Sequence, residues 1–347
     1  LREKPGIPED SLWTCLQDQY GLVAVTLDFL PLGLDTRAGV YRVVDEQGIA
    51  YFLKAKADPL YEPSCLIPGY LRDRGIGSVV APLPTRSNTL WARIGEWTVI
   101  LYPFIEGDSD WDPGLTAAHW QALGTALKEI HQVGLPTEGI GLPRRETFDP
   151  KEYIRWVREF EAPGAHSQGG GSIQQEFHAC WIEQRTTIHA ALTAMDTLAT
   201  VLQKQSGPYV ICHADLHPGN IIRDHADRVF VIDWDDVMLA PKERDFLFVG
   251  AAPSAGSARE AIPPFFQGYG ETEIDRVALT YYLWERVVTD VIACAKDVIF
   301  RDDLEEKTKV EMVQLFRDVL KDGGEVDAAR SAAAHLPSPL TVNRALS

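Results

Sequence analysis

The sequence predicts an α+β protein of two lobes, a small antiparallel sheet at the N-terminal end followed by a larger, mostly helical part. Three observations predict it. β-branched, alternating segments crowd the first hundred residues, whereas from about Leu115 onward apolar residues recur at helical spacing. The chain of 347 residues also exceeds the roughly 250 to 300 at which a single core stops growing. The switch falls at Tyr102 to Gly107, which divides the chain into 1–103 and 104–347 around a hinge.

Each element has a local reason. Asp10-Ser11 caps a first helix carrying Leu12, Trp13, Leu16 and Tyr20 at helical spacing. Val23 to Leu30, Val40 to Val44, Ala50 to Lys54 and Trp97 to Leu101 read as strands, and Asp45-Glu46-Gln47-Gly48 turns one into the next. Glu62 to Arg74 is the helix-like stretch between them, where Pro68-Gly69 is expected to kink or shorten it. Trp120, Leu123, Leu127 and Ile130 mark one face of a later helix. Gly169-Gly170-Gly171 lies in an expected mobile loop.

Within the helical half, two short apolar runs frame a polar constellation. Tyr209 to Cys212 and Val229 to Ile232 read as strands, and Asp224-His225-Ala226-Asp227 as a hairpin bringing the second back beside the first. Between and after them stand Asp215, Asn220 five residues later and Asp233 thirteen beyond that. In phosphoryl transfer of the kinase type, such an Asp takes the acceptor hydroxyl's proton, while the Asn and the later Asp hold Mg2+. Oxygen donors of this kind suit a hard divalent cation. Asp235 either reaches the metal through water or caps the turn. His213 and His217 lack a Cys or a third His at zinc-site spacing.

Composition narrows the partners. The net charge of −17 opposes nucleic acid and anionic lipid and favours a cationic small-molecule acceptor. No apolar run approaches the ~20 residues of a membrane span, and no signal-peptide pattern opens the sequence, so a cytoplasmic location is expected. The five cysteines are scattered without C-x-x-C spacing, implying neither a disulfide framework nor a zinc site.

If the constellation transfers phosphate, a nucleotide site belongs in the strand-rich part. Gly33-Leu34-Asp35-Thr36 lies between two strands, where Gly33, Asp35 and Thr36 could bring N–H groups to phosphates or simply form a hairpin turn. Lys54, on the third strand, is placed like the lysine that meets the α and β phosphates of ATP. Glu62 is its expected acidic partner. Leu101 to Gly107 is a connector able to present main-chain groups to adenine, with the carbonyl of Pro103 and the N–H of Ile105 as the contacts, since proline has no N–H.

With His213-Ala214-Asp215-Leu216-His217-Pro218-Gly219-Asn220 and Ile232-Asp233-Trp234-Asp235, the chain resembles the aminoglycoside phosphotransferase and choline kinase family, of protein-kinase-like fold, from Asp10 to about Asp302. Tyr51 to Lys54, Tyr102 to Ile105, Met238 to Asp245 and Gly268-Tyr269-Gly270 are most similar to the spectinomycin phosphotransferases. The resemblance implies transfer of phosphate from ATP to a hydroxyl of an aminocyclitol or aminoglycoside. Asp215 would be the base, Asn220 and Asp233 the Mg2+ ligands, Lys54 the phosphate-binding lysine and Glu62 its partner. His213 would order the loop, and Asp245 would buttress it. Ala214, where many relatives carry glycine, is expected to be harmless.

For the acceptor, Glu285 and Asp290 sit in the aromatic helix Tyr281 to Asp290 and could hold ammonium groups, or the helix is an ordinary amphipathic one. Three rival readings stand beside this one. They are a kinase of the same fold acting on choline, homoserine, a fructosamine or a macrolide, a nucleotide-binding regulatory module without catalysis, and a metal-dependent phosphohydrolase.

Overall fold

A computed structural model describes residues 4–32, 38–57, 59–109, 114–135, 141, 143–162, 171–205, 207–249 and 263–337. The chain divides into two compact units, each made of several segments. The first is Leu1–Arg144 with Val210–Leu239 and Pro264–Glu271; the second is Arg145–Tyr209 with Ala240–Pro263 and Thr272–Ser347.

The first unit begins with α1 (Glu9–Cys15), which continues as a π turn, Leu16–Tyr20, and ends at Gly21 with φ 71°. A five-stranded antiparallel sheet follows, built from β1 (Ala24–Leu30), β2 (Ala38–Asp45) and β3 (Ala50–Lys56), then, after α2 (Pro63–Asp73), β4 (Ala92–Ile94) and β5 (Trp97–Pro103). Its order is β1-β2-β3-β5-β4. Asp45 fixes the β2–β3 hairpin by accepting from the N–H groups of Gln47 and Ile49 at 2.9 Å each and from the Tyr51 hydroxyl at 3.0 Å. That hairpin sets the register, in which Lys54 lies opposite Val40 on one side and Ile100 on the other.

One face of this sheet is the core. Tyr41, Val43, Leu53, Ala55, Val99 and Leu101 pack with Leu12, Cys15 and Leu16 from the N-terminal helix. Because side chains alternate along a strand, Lys54 and Lys56 project from the opposite face.

Pro68 does not shorten α2, contrary to one part of the sequence expectation. Eleven residues run through it, with Pro63, Ser64, Cys65, Ile67, Pro68 and Leu71 buried. An interior proline costs about 3 kcal/mol, and the apolar burial of this face offsets it. Only the Ser64 carbonyl loses its helical donor, within the first two turns.

α3 (Ala117–Gln132) starts at a capping box in which Thr116 and His119 exchange side-chain-to-backbone bonds, and it buries Leu123, Leu127 and Ile130. In the second unit follow α4 (Lys151–Phe160) and α5 (Ser172–Leu202), the latter 31 residues long. β6 (Val210–Cys212), β7 (Ile221–Arg223), β8 (Val229–Val231) and β9 (Met238–Ala240) make two small two-stranded sheets. Here the sequence expectation needs correction. β8 returns not beside β6 but beside β7, with Ile221 opposite Val231, and β6 pairs with β9 instead. Three-residue strands carry too little pattern to be paired from sequence.

α6 (Pro263–Tyr269) belongs mainly with the first unit, where it crosses α3 at two glycines. A Cβ at Gly124 would collide with the Phe265 carbonyl, and one at Gly268 with that of Gln121. The second unit closes with α7 (Arg276–Phe300), α8 (Glu306–Leu320) and α9 (Glu325–Ala333), and α7 packs against α5, α8 and α9. Among the described residues, no helix is long and apolar enough to cross a membrane. All five cysteines are buried, and none is in a disulfide.

Candidate active site

The loop after β6 is built around His213, which is fully buried. Its Nε2–H donates to the Ile232 carbonyl at 2.8 Å, and its Nδ1 accepts the N–H of Asp215 at 3.3 Å. The ring also meets Trp234 edge-on, 4.8 Å between centroids. One imidazole thus ties the segment holding Asp215 to the segment holding Asp233, and fixes its own tautomer in doing so.

Between these bonds Ala214 takes φ 73°, a left-handed conformation that costs a residue with a Cβ about 1–2 kcal/mol. A glycine would avoid that cost, so the alanine is strained rather than harmless. Asp233 is also left-handed, at φ 60°.

Asn220 ends the 3₁₀ turn Pro218–Asn220, which is capped by His217 Nδ1 accepting the Gly219 N–H at 3.1 Å. The Asn220 amide donates to the Asp215 backbone carbonyl at 2.9 Å, and Ile232 N–H donates to the Asn220 carbonyl at 3.0 Å. Asp215 keeps a side chain one-third exposed, with Asn220 Nδ2 3.4 Å and His217 Nε2 3.6 Å from its Oδ2. The Asp215–His217 proximity is a feature the sequence spacing did not single out.

Asn220, Asp233 and Asp215 are therefore gathered in one unit as an all-oxygen set. Orientation of the Asn220 amide nitrogen toward Asp215 leaves its carbonyl oxygen as the group to offer a cation, and Asp233 is the more exposed of the two aspartates beside Trp234, 45% against 25%. This chemistry fits Mg2+, held by Asn220 and Asp233.

Lys54 reaches the same segment. Its Nζ donates to Asp233 Oδ1 at 2.7 Å and to Asp235 Oδ2 at 2.9 Å, while Lys56 Nζ donates to Asp235 Oδ2 at 2.5 Å. Burial alone would lower the Lys54 ammonium's pKa, but Asp233 and then Asp235 hold it above the usual lysine value. Burial alone would raise that of Asp235, yet Lys54 and then Lys56 bring it down to about 2. Glu62, the partner expected from sequence, stands exposed at the N-cap of α2. Cys65 on α2 lies within electrostatic reach of Lys54, Lys56 and Asp235, and burial pushes its thiol up to about 12.

Pro103 ends β5, and the half-buried Ile105 follows it without a strand partner. The connector is then anchored, because Asp108 and Arg223 exchange main-chain bonds of 3.1 and 2.9 Å and their side chains form an ion pair. Gly33, Asp35 and Thr36 lie outside the described residues.

In the second unit, the two carboxylates expected to meet the acceptor already have guanidinium partners. Glu285 pairs with Arg244, and Asp290 with Arg286 at 2.7 Å one helical turn away. Glu146, which sequence reasoning passed over, joins the Glu285 group. Burial and then the Glu285 charge raise its pKa. Tyr153 comes within 3.5 Å of Glu285, and the Arg244 guanidinium lies 5.0 Å from the Tyr282 ring centre. Asp245 is buried in the 3₁₀ turn Lys242–Phe246 of this unit.

A base-like aspartate, an asparagine and a second aspartate facing a strand lysine define a phosphotransferase of kinase-like fold. The chain belongs to the phosphotransferase enzyme family abbreviated APH, whose model matches residues 28–280. It is similar to the crystal structure of spectinomycin phosphotransferase APH(9)-Ia in complex with ADP and spectinomycin, with a TM-score of 0.78 and 28% identity over 94% of this chain and 99% of that one. Amicoumacin kinase hAmiN in complex with AMP-PNP, Ca2+ and Ami, at 16% identity and TM-score 0.60 over 90% of this chain and 93% of that one, shares the fold. Among curated proteins, Protein StrN of Streptomyces griseus is 25% identical over 255 residues, 70% of this chain and 74% of StrN.

Proposed function

We propose that this protein transfers the γ-phosphate of MgATP to a hydroxyl group of an aminocyclitol or aminoglycoside, with spectinomycin as the acceptor of first choice. The observation that carries the reading is the gathering of Asp215, Asn220, Asp233 and Lys54 in one unit of a chain similar over 94% of its length to a spectinomycin phosphotransferase. The bound ADP and AMP of the APH(9)-Ia structures support a nucleotide donor. A cationic acceptor agrees with the net charge of −17, and a nucleotide donor agrees with a cytoplasmic location.

The mechanism follows from the residues. Asp215, on a loop locked by His213 and Asn220, orients the acceptor hydroxyl and takes its proton. Lys54 places a fixed positive charge where phosphate charge develops. Asn220 and Asp233 would hold Mg2+, which when bound neutralises the phosphate oxygens. Transfer is direct, without a phosphoenzyme.

The test is ADP release from MgATP with a panel of spectinomycin, other aminoglycosides, choline, homoserine and a macrolide. Stimulation by spectinomycin supports the proposal in full. Stimulation by another member keeps the kinase and discards the acceptor, and nucleotide binding without stimulation by any member counts against transfer to these classes.

A further inference from the structure

β3 carries two lysines on the face opposite the core, and both converge on one carboxylate. Lys54 Nζ and Lys56 Nζ each donate to Asp235 Oδ2, at 2.9 and 2.5 Å. Asp233 takes only the Lys54 bond, at 2.7 Å, and is the more exposed of the two aspartates. The helix after β3 supplies no carboxylate to this cluster. Its N-cap Glu62 and its last residue Asp73 are both exposed, and the residue it brings within electrostatic reach is the Cys65 thiol.

We propose that Asp235, clamped by Lys56, is the carboxylate that positions Lys54 for the nucleotide's phosphates, in place of an acidic residue on α2. The two aspartates beside Trp234 then have separate duties. Asp233 would serve the cation as a ligand, and Asp235 would then be the carboxylate left to hold the lysine. Two ammonium groups against one remaining carboxylate leave a net positive charge of one toward the phosphates, which suits a polyanion. Lys56 is a positioning residue in this scheme. It acts through Asp235 and not on the substrate. Trp234, 2% exposed and bonded through Nε1 to the Val231 carbonyl at 3.3 Å, pins the segment so that Asp235 cannot swing away.

The inference rests on the nucleotide-dependent reading above, but not on the acceptor. ADP affinity, measured by calorimetry on the full chain without acceptor and with or without Mg2+, therefore tests it even if the acceptor assignment fails. Lys54→Met is expected to weaken ADP binding in the presence of Mg2+ about tenfold, as loss of a charge-assisted hydrogen bond does. In an Asp235→Asn background the same change is expected to matter less than about threefold, because a lysine without its carboxylate no longer stands at the phosphates. In a Glu62→Gln background it keeps its full effect. Lys56→Met reduces the Lys54 effect as well, and Lys56→Arg restores it.

Three results overturn the proposal. One is a full Lys54 effect in the Asp235→Asn background, and another is its loss in the Glu62→Gln background. The third is an Asp235→Asn variant in which only the Mg2+ requirement rises, which would make Asp235 a metal ligand. Should the Asn variant not fold, Asp235→Glu, which retains the charge and displaces it by one methylene, is expected to give an intermediate Lys54 effect; a full effect there overturns the proposal equally.

Discussion

Replacing Asp215 by alanine should abolish most turnover and leave the fold intact, and both halves of that expectation come from the loop's construction. The loop is held by backbone atoms and by His213. The Asp215 N–H donates to His213, and its carbonyl accepts from the Asn220 amide at 2.9 Å. Neither bond uses the carboxylate, whose contacts with Asn220 and His217 are long, 3.4 and 3.6 Å. The change therefore leaves the two bonds that hold the loop, and its structural cost should stay near the ~1 kcal/mol of an average substitution. A positioned general base, by contrast, contributes roughly 10²–10⁴ in rate, or about 3–5 kcal/mol of transition-state stabilisation. Steady-state ADP release with the best acceptor of the panel should show kcat down by that factor and KM for ATP within about twofold, with a thermal melt close to wild type. Asp215→Asn, which keeps the shape and removes the base, should fall as far. A kcat within tenfold of wild type in both variants would refute the role, and a rise in KM alone would recast Asp215 as a binding group.

Four further outcomes are expected. Asp235 is held at about 2 against an ordinary 3.8 by Lys54 and Lys56 despite its burial, so its contribution is full above about pH 4 and is lost as pH falls through about 2. Urea unfolding at about pH 5 and pH 2 should show wild type losing about 2 kcal/mol more than Asp235→Asn, and equal losses would refute the pairing. Ala214→Gly, relieving φ 73°, should stabilise the protein by about 0.5–1 kcal/mol with turnover retained, seen as a rise in the urea midpoint. Glu285→Gln should destabilise by about 3 kcal/mol, because it removes the buried carboxylate paired with the Arg244 guanidinium, and a variant of unchanged stability would free Glu285 for an acceptor role. Gly268→Ala should lower the melting temperature by several degrees, since its methyl meets the Gln121 carbonyl of α3, whereas Gly270→Ala, open to solvent but at φ 83°, should cost only about 1 kcal/mol.

What the sequence made legible was whatever one residue type reports by itself or at fixed short spacing. Alternation marked the sheet strands, and Asp45-Glu46-Gln47-Gly48 marked the turn that sets Lys54 in register. The spacing of Asp215, Asn220 and Asp233 did the same for the loop, because a hairpin of three-residue strands leaves few ways to bring them together. Pairings across long separations were not legible. Lys54 and Asp235 are 181 residues apart, and nothing in either neighbourhood favours that partner over Glu62. Pro68 misled because local propensity priced the lost hydrogen bond without the buried face that offsets it. Ala214 misled because residue size, not φ, was weighed. For Glu285 and Asp290, helical spacing identified a face but not the arginines waiting on it.

The two left-handed residues of the loop explain why a fully buried histidine belongs beside the base. Ala214 and Asp233 each hold a conformation that an unconstrained chain would leave, at a cost of about 1–2 kcal/mol for the alanine and less for the aspartate, whose side chain tolerates the region. Ala214 sits between the ring of His213 and the Asp215 N–H that donates to it, and Asp233 directly follows the Ile232 carbonyl that the same ring engages. A single imidazole thus spans both strained residues, and it meets Trp234 edge-on. Strain of this kind persists only where the surroundings over-determine it, and two hydrogen bonds and an aromatic contact on one buried ring do so. The backbone that aims Asp215 outward and the backbone that aims Asp233 toward Lys54 are then parts of one braced unit. Acceptor proton and phosphate charge are handled by groups whose separation is set by the brace and not by the loop's own preferences.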